Sequence, residues 1–405
     1  MDLKQRRKKH LGNADHFFYQ KPVHITKGED VWLIDTSGKR YLDAYNNVAH
    51  VGHSNPEVVE AIAQQAATLN TNTRYIHEHI IELAEQLTAT FNNGLEVCYF
   101  CCSGSEANDL ALQIARTYTK QKGCLVTENA YHGNTTAVFQ MSPEDCAPKH
   151  RENWIGLVGG PKKYTANREK HLSRTAETIK KMKENGIKPA AFIADNIFSS
   201  EGIYPIPKNY LKHMYDLVRA SSGLAIADEV QSGFGRTGKH MWGFQHDEVI
   251  PDIVTLGKPM GNGHPLAAVV TTQKIAKAFN KHYGYFNTYG GNTVSAAAGL
   301  AVLQFVHNHK LVDHAEDVGN YLKDGLQALG NKLDTILEVR GSGLFIGVEL
   351  QSGKMTTEAL ETLLSEGILA GQTGPENNVI KLRPPMTFKK EHADFLIKGV
   401  EKTLS

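Results

Sequence analysis

Between about residues 97 and 272, short apolar runs alternate with stretches whose apolar residues recur at helical spacing, and few folds suit a chain so patterned. VCYFC is followed by SEANDLALQIARTYTK, in which Ala107, Leu110, Ala111, Ile114 and Ala115 recur as one helical face requires. GCLV, AAFIAD, GLAIAD, DIVTL and AAVVTT read as further buried strands, with helices between them over about 167–184 and 208–220. Such alternation implies an α/β domain, a mainly parallel sheet covered on both faces. Ligands of these sheets collect beyond the carboxyl ends of the strands. The polar residues expected at those ends are Tyr131, Asp195, Asp228 and Lys258.

The rest of the chain has another texture. Residues 29–43 read as a hairpin turning at Ser37-Gly38. After about residue 293 a long helical run leads into EVRGSGLFIGVEL and VIKLRPPM, which read as strands. A chain of 405 residues exceeds one small core. The division expected is a large domain over 51–292 and a smaller α+β domain assembled from 1–50 and 293–405. The chain is 41% hydrophobic and 21% charged with net charge +1, which argues against a nucleic-acid partner. No apolar stretch is long enough to cross a bilayer, so no membrane partner is expected. The basic run Arg6–Lys9 is followed by no apolar segment and reads as a solvated helix turn, not a secretory signal.

Five cysteines, an odd number, make no disulfide framework and suit a reducing cytoplasm. Cys98 and Cys101 spell C-x-x-C, but on a strand residues three apart point to opposite faces, so a zinc site is not expected. His50, His53, His77 and His79 have familiar metal spacings, yet no carboxylate or cysteine nearby completes a set.

Asp228 closes one apolar run and Lys258 closes the next, on a turn of small residues. That pair is what pyridoxal 5'-phosphate chemistry needs. The lysine supplies a Schiff base, and the carboxylate keeps the ring nitrogen protonated so that the ring can accept the electrons of a carbanion. Ser103-Gly104-Ser105-Glu106 precedes a helix in the S-x-x-E pattern, and the free N–H groups of a helix start attract an anion such as the cofactor phosphate. Tyr131 in NAYHGNT could stack on the ring, with His132 beside it.

SGSEANDLALQIAR, NAYHGNT, ADEVQSGFGRTGKHMWGFQ, PDIVTLGKPMGNGHPLAAVV and FNTYGGNTVSAAAGLAVL together resemble a class III aminotransferase of PLP fold type I, from about residue 19 to the C-terminus. The resemblance implies a seven-stranded large-domain sheet and an obligate homodimer with active sites at the interface. It implies Lys258 as the Schiff-base lysine, Asp228 on the ring nitrogen, Gln231 on the ring hydroxyl and Gly104 and Ser105 around the phosphate. Thr288 matches the threonine that reaches the phosphate of the neighbouring subunit. One departure is visible: Asp195-Asn196 stands where many relatives carry a glutamate, which puts that residue's role in doubt.

NNVAHVGHSNP and LNTNTRYIHEH are similar to the subgroup containing ethanolamine-phosphate and phosphohydroxylysine phospho-lyases. A phosphate leaving group needs a cationic pocket. Arg74 can offer a bidentate fork, and His50 and His53 can add donors or a proton. Arg383 in KLRPPMTF matches the arginine that holds a substrate carboxylate in amino-acid-using members, which keeps an aminotransferase open. The expectation is a phospho-lyase acting on a phosphorylated amino alcohol such as phosphoethanolamine. The alternative is an amine:2-oxo acid aminotransferase.

Overall fold

The computed structural model describes residues 2–12, 17–91 and 94–405. Near the N-terminus, β1 (Ile25–Glu29), β2 (Trp32–Asp35) and β3 (Arg40–Asp43) form an antiparallel meander. The central sheet uses β4 (Leu95–Cys101), β5 (Gly123–Thr127), β6 (Ile155–Val158), β7 (Pro189–Asp195), β8 (Leu224–Asp228), β9 (Ile253–Leu256) and β10 (Ala267–Thr272). Its order is β4-β10-β9-β8-β7-β5-β6, and β10 runs against both of its neighbours. Burial on both faces explains why β5, β7, β8 and β9 read as unbroken apolar runs. β6 escapes such reading because it is a short edge strand, buried only at alternate residues.

The two faces of the sheet carry separate cores. Leu125, Phe192, Ala225 and Val254 pack on one side, and Val126, Ile193, Ile226 and Ile253 on the other. Cys98 joins the first and Cys101 the second, as strand alternation requires.

A third core gathers the chain ends. It includes Leu42, Val318, Leu322, Ile346, Val348, Ile380 and Leu396. Here β11 (Ile336–Ser342), β12 (Phe345–Leu350), β14 (Gly371–Thr373) and β15 (Val379–Leu382) form one antiparallel sheet, while β13 (Ile368–Leu369) pairs in parallel with β3. The helix Thr293–Asn308 serves both regions. Ala296, Leu300 and Leu303 face the large-sheet core, and Ala301, Val302 and Val306 face the third one. A helix apolar all round must be covered all round. The helix Leu3–His10 buries nothing, consistent with its basic sequence.

Candidate active site

β7 and β8 end side by side, with Asp195 opposite Asp228 in register, and Lys258 follows β9. All three line a cavity of about 350 Å³ together with Ser103, Gly104, Ser105, Tyr131, His132, Val230 and Gln231. The strands' carboxyl ends thus converge on the start of the helix Gly104–Thr119. Lys258 has φ +28°, a left-handed conformation that costs a side-chain-bearing residue strain and is met mostly at functional sites. Burial, with Arg383 adding to it, pushes its amine down to about 8, against the opposing pull of Asp228 and Asp195.

Asp228 is held by a relay. Thr255 Oγ1 donates to Asn108 Oδ1 at 2.6 Å, which turns the Asn108 amide so that Nδ2 donates to Asp228 Oδ2 at 2.9 Å. His132 Nδ1 donates to the same oxygen at 2.7 Å, and the Val230 N–H donates to Oδ1 at 3.1 Å. Asn108 lies on the stripe Ala111, Leu112, Ala115, and a polar residue on a buried stripe was the sequence signal that could have found it.

Ser103 Oγ accepts from the Glu106 N–H at 3.3 Å, while the Glu106 carboxylate reaches back to the Cys102 N–H at 2.8 Å, one residue earlier than a capping box requires. Ser105 Oγ accepts from the Asn134 N–H at 3.2 Å, which ties this loop to the turn after β5. The turn has no room for a side chain. A Cβ on Gly133, at φ +138°, would lie 2.4 Å from Ser105 Oγ.

Gln231 Nε2 donates to Ser199 Oγ at 2.6 Å, and Ser199 Oγ donates to Asp195 Oδ2 at 2.5 Å. Burial raises the Asp195 carboxyl, and the neighbouring Asp228 raises it further. Arg383 is buried, donates through its guanidinium to Gln231 Oε1 and to the Tyr45 carbonyl at 3.2 Å, and lies over the rings of Tyr45 and Phe345. Two residues earlier, on β15, is Lys381, which no sequence pattern marked. It is buried, with Arg383, Glu144, Asp195 and Lys258 as its charged neighbours. Burial and Arg383 push it down to about 7, and among the described residues its ammonium has no hydrogen bond or ion pair.

Other expected contacts fall elsewhere. His50 is fully buried outside the cavity, with Nε2 donating to the Phe234 carbonyl at 2.8 Å and Nδ1 accepting from Arg236 at 3.2 Å. Burial and Arg236 hold its imidazole well below the usual range, so it offers the pocket neither a donor nor a proton. His53 Nε2 contacts Asp43 at 2.6 Å, and His77 caps the helix Glu78–Thr88. Arg74 and Thr288 are exposed and absent from the cavity wall. Arg74 lies 4.1 Å from the ring centroid of Phe286, two residues before Thr288, so both belong to one surface patch. Among the described residues no three His, Cys, Asp or Glu gather as a metal site, and no helix is long and apolar enough to cross a membrane.

Residues 16–404 match the sequence profile of Aminotransferase class-III. The chain belongs to the class III aminotransferase family. Its members are PLP-dependent enzymes of fold type I, the architecture described above. The chain is 40% identical to Alanine--glyoxylate aminotransferase 2-like of Drosophila melanogaster, covering 98% of this chain and 86% of that one. It is 37% identical to Ethanolamine-phosphate phospho-lyase homolog 1 of Caenorhabditis elegans, over 100% and 93%. A solved phospholyase from Arthrobacter in complex with phosphoethanolamine superposes with TM-score 0.97 at 40% identity, covering 100% of this chain and 99% of that one.

The residues present fit the family cofactor. A helix start with a serine hydroxyl suits its phosphate, a buried carboxylate with its own donors suits a ring nitrogen, and a depressed amine suits its aldehyde.

Proposed function

We propose that this enzyme is a phospho-lyase, eliminating phosphate from a phosphorylated amino alcohol such as phosphoethanolamine; water then hydrolyses the resulting enamine, so that the products are an aldehyde, ammonia and phosphate. The observation that carries the reading is Lys381. It is buried beside the buried Arg383 guanidinium, which donates to Gln231 of the cavity wall, and Asp195 and Lys258 of the cavity are among its charged neighbours. Two cationic side chains packed behind the wall suit an anionic substrate group.

Gly104 and Ser105 would hold the cofactor phosphate, Asp228 the ring nitrogen and Gln231 the ring hydroxyl, with Tyr131 against the ring. Pyridoxal phosphate supplies an electron sink for the carbon that loses its proton. Lys258 Nζ, depressed to about 8, takes that proton from the amine-bearing carbon, and such a placed base contributes about 10²–10⁴-fold. Lys381 and Arg383 hold the departing phosphate and offset its charge, so that its loss outruns return of the proton. His132, through Asp228, fixes the orientation of the acid.

A homodimer belongs to the same proposal. Tyr75 is 68% exposed, Ile76 94% and Tyr289 68%, around Arg74 and Phe286. A patch of this kind is characteristic of an interface. Arg74 and Thr288 would then face the partner's site.

Arg383 supports a second reading. Its planar fork suits a carboxylate, and relatives bearing aminotransferase names are 32–40% identical to this chain. One assay separates the two. Holoenzyme incubated with phosphoethanolamine and no keto acid is expected to release phosphate and acetaldehyde catalytically. Turnover appearing only with pyruvate or 2-oxoglutarate would establish the aminotransferase instead.

A further inference from the structure

Arg236 is fully buried, yet no carboxylate touches it among the described residues. Burial, with Arg383 adding its charge, pushes it down to about 9. A guanidinium so placed costs more than an apolar side chain of similar volume would, so its contacts need an explanation beyond packing.

Those contacts share a destination. Its Nη1 donates to the carbonyl of Pro384, the residue directly after Arg383. The same nitrogen donates at 3.2 Å to the carbonyl of Leu344, directly before Phe345, whose ring lies under the Arg383 guanidinium. Its Nη2 reaches His50 Nδ1 at 3.2 Å, and the His50 carbonyl accepts from the Met386 N–H at 2.7 Å. The backbone joins in, since the Leu344 N–H donates to the Arg236 carbonyl at 3.1 Å. Gln231, on the same loop after β8, accepts from the Arg383 side chain. One loop of the large-sheet region therefore holds Arg383 from two sides, by its guanidinium through Gln231 and by the main chain of the next residue, Pro384, through Arg236.

We propose that Arg236 is a positioning residue that fixes Arg383 as the anchor for the substrate's anionic group, by clamping the Leu344 and Pro384 carbonyls and His50. Arg236 itself touches no substrate. The inference rests on the reading of Arg383 as an anion anchor, and it holds whether the anion is phosphate or carboxylate. With the clamp released, Arg383 keeps its charge and loses its aim, so anion affinity falls while the chemistry at Lys258 is spared.

The test uses holoenzyme, in which the cofactor already fills its own phosphate cradle. Inorganic phosphate is titrated calorimetrically into wild type, Arg236→Met, Arg236→Lys, His50→Leu and Arg383→Met. Kinetics with phosphoethanolamine, melting temperature and the visible absorption of the cofactor accompany each. Arg236→Met is expected to weaken phosphate about tenfold and raise KM in proportion. Its kcat and visible band should stay near wild type, and Arg236→Lys should recover part of the affinity. Unchanged phosphate affinity in folded Arg236→Met, or a loss confined to kcat, overturns the proposal. Should Arg236→Met fail to fold, His50→Leu decides, with weaker phosphate binding supporting the clamp and wild-type binding overturning it. If Arg383→Met itself binds phosphate normally, the anchor reading fails first, and that result is distinct from failure of the clamp alone.

Discussion

Lys381 shows how much one buried charge can dictate. Its folded amine titrates near 7, whereas the unfolded amine keeps its proton to about 10.5. Between those values the unfolded chain holds more protons, so this residue makes stability rise with pH. Lys381→Met should therefore raise the melting temperature most at pH 7 and below, with the gain shrinking toward pH 10. A melting series across pH checks this, and a destabilised variant at pH 6 would contradict it. Binding runs the other way. Phosphate affinity should fall as pH rises through about 7 in the wild type, and that dependence should flatten in Lys381→Met. Lys258→Ala should lose both turnover and the visible band of the cofactor's Schiff base, because this is the amine that the proposal ties to the cofactor aldehyde. Sequence could single out Lys258, since a lysine closing an apolar run on a turn of small residues is unusual. It could not single out Lys381, because a lysine in VIKL reads as a strand residue facing water. His50 erred the opposite way. Its partner Arg236 is 186 positions distant, and nothing local announces that the two meet.

At the level of elements, the cradle depends on two turns fitting together without side chains between them. Gly133→Ala would drive a Cβ into Ser105, whose backbone it would approach to 2.8 Å. The phosphate loop must then move, and cofactor affinity should fall by at least about tenfold, measured by absorbance on dialysis. Ser103→Ala is the milder test. It removes the cap of the helix Gly104–Thr119 and should cost about 1 kcal/mol of stability in denaturant unfolding, with cofactor still bound. The alternation of apolar runs and helices announced the central sheet, and the S-x-x-E pattern announced the helix start. Strand direction was not readable in the same way. β10 is as buried and apolar as the parallel strands of the sheet, yet it runs antiparallel to both β4 and β9. Nor did the pattern show that Glu106 would turn toward Cys102 and Asn287 instead of its own cap residue.

Across the whole molecule, Arg74 and Thr288 stand together on one exposed patch while the cavity they were expected to serve lies elsewhere in the same chain. A site built from two protomers reconciles these facts, and it makes a quantitative claim. Lys258→Ala dimers lack the amine but keep a sound patch, and Arg74→Ala dimers lack the patch arginine but keep a sound amine. Neither should turn over phosphoethanolamine well. When the two are mixed, unfolded and refolded together, half of the dimers should be hybrids, and each hybrid carries one site with both intact residues. Activity should then recover to roughly a quarter of wild type. If Arg74 acted within its own protomer, the hybrid would contain no intact site and mixing would restore nothing. Ile76→Asp adds a control. A charge in the middle of the apolar patch should shift sedimentation toward monomer and abolish complementation, whereas a dimer surviving that change would mean that another face makes the contact.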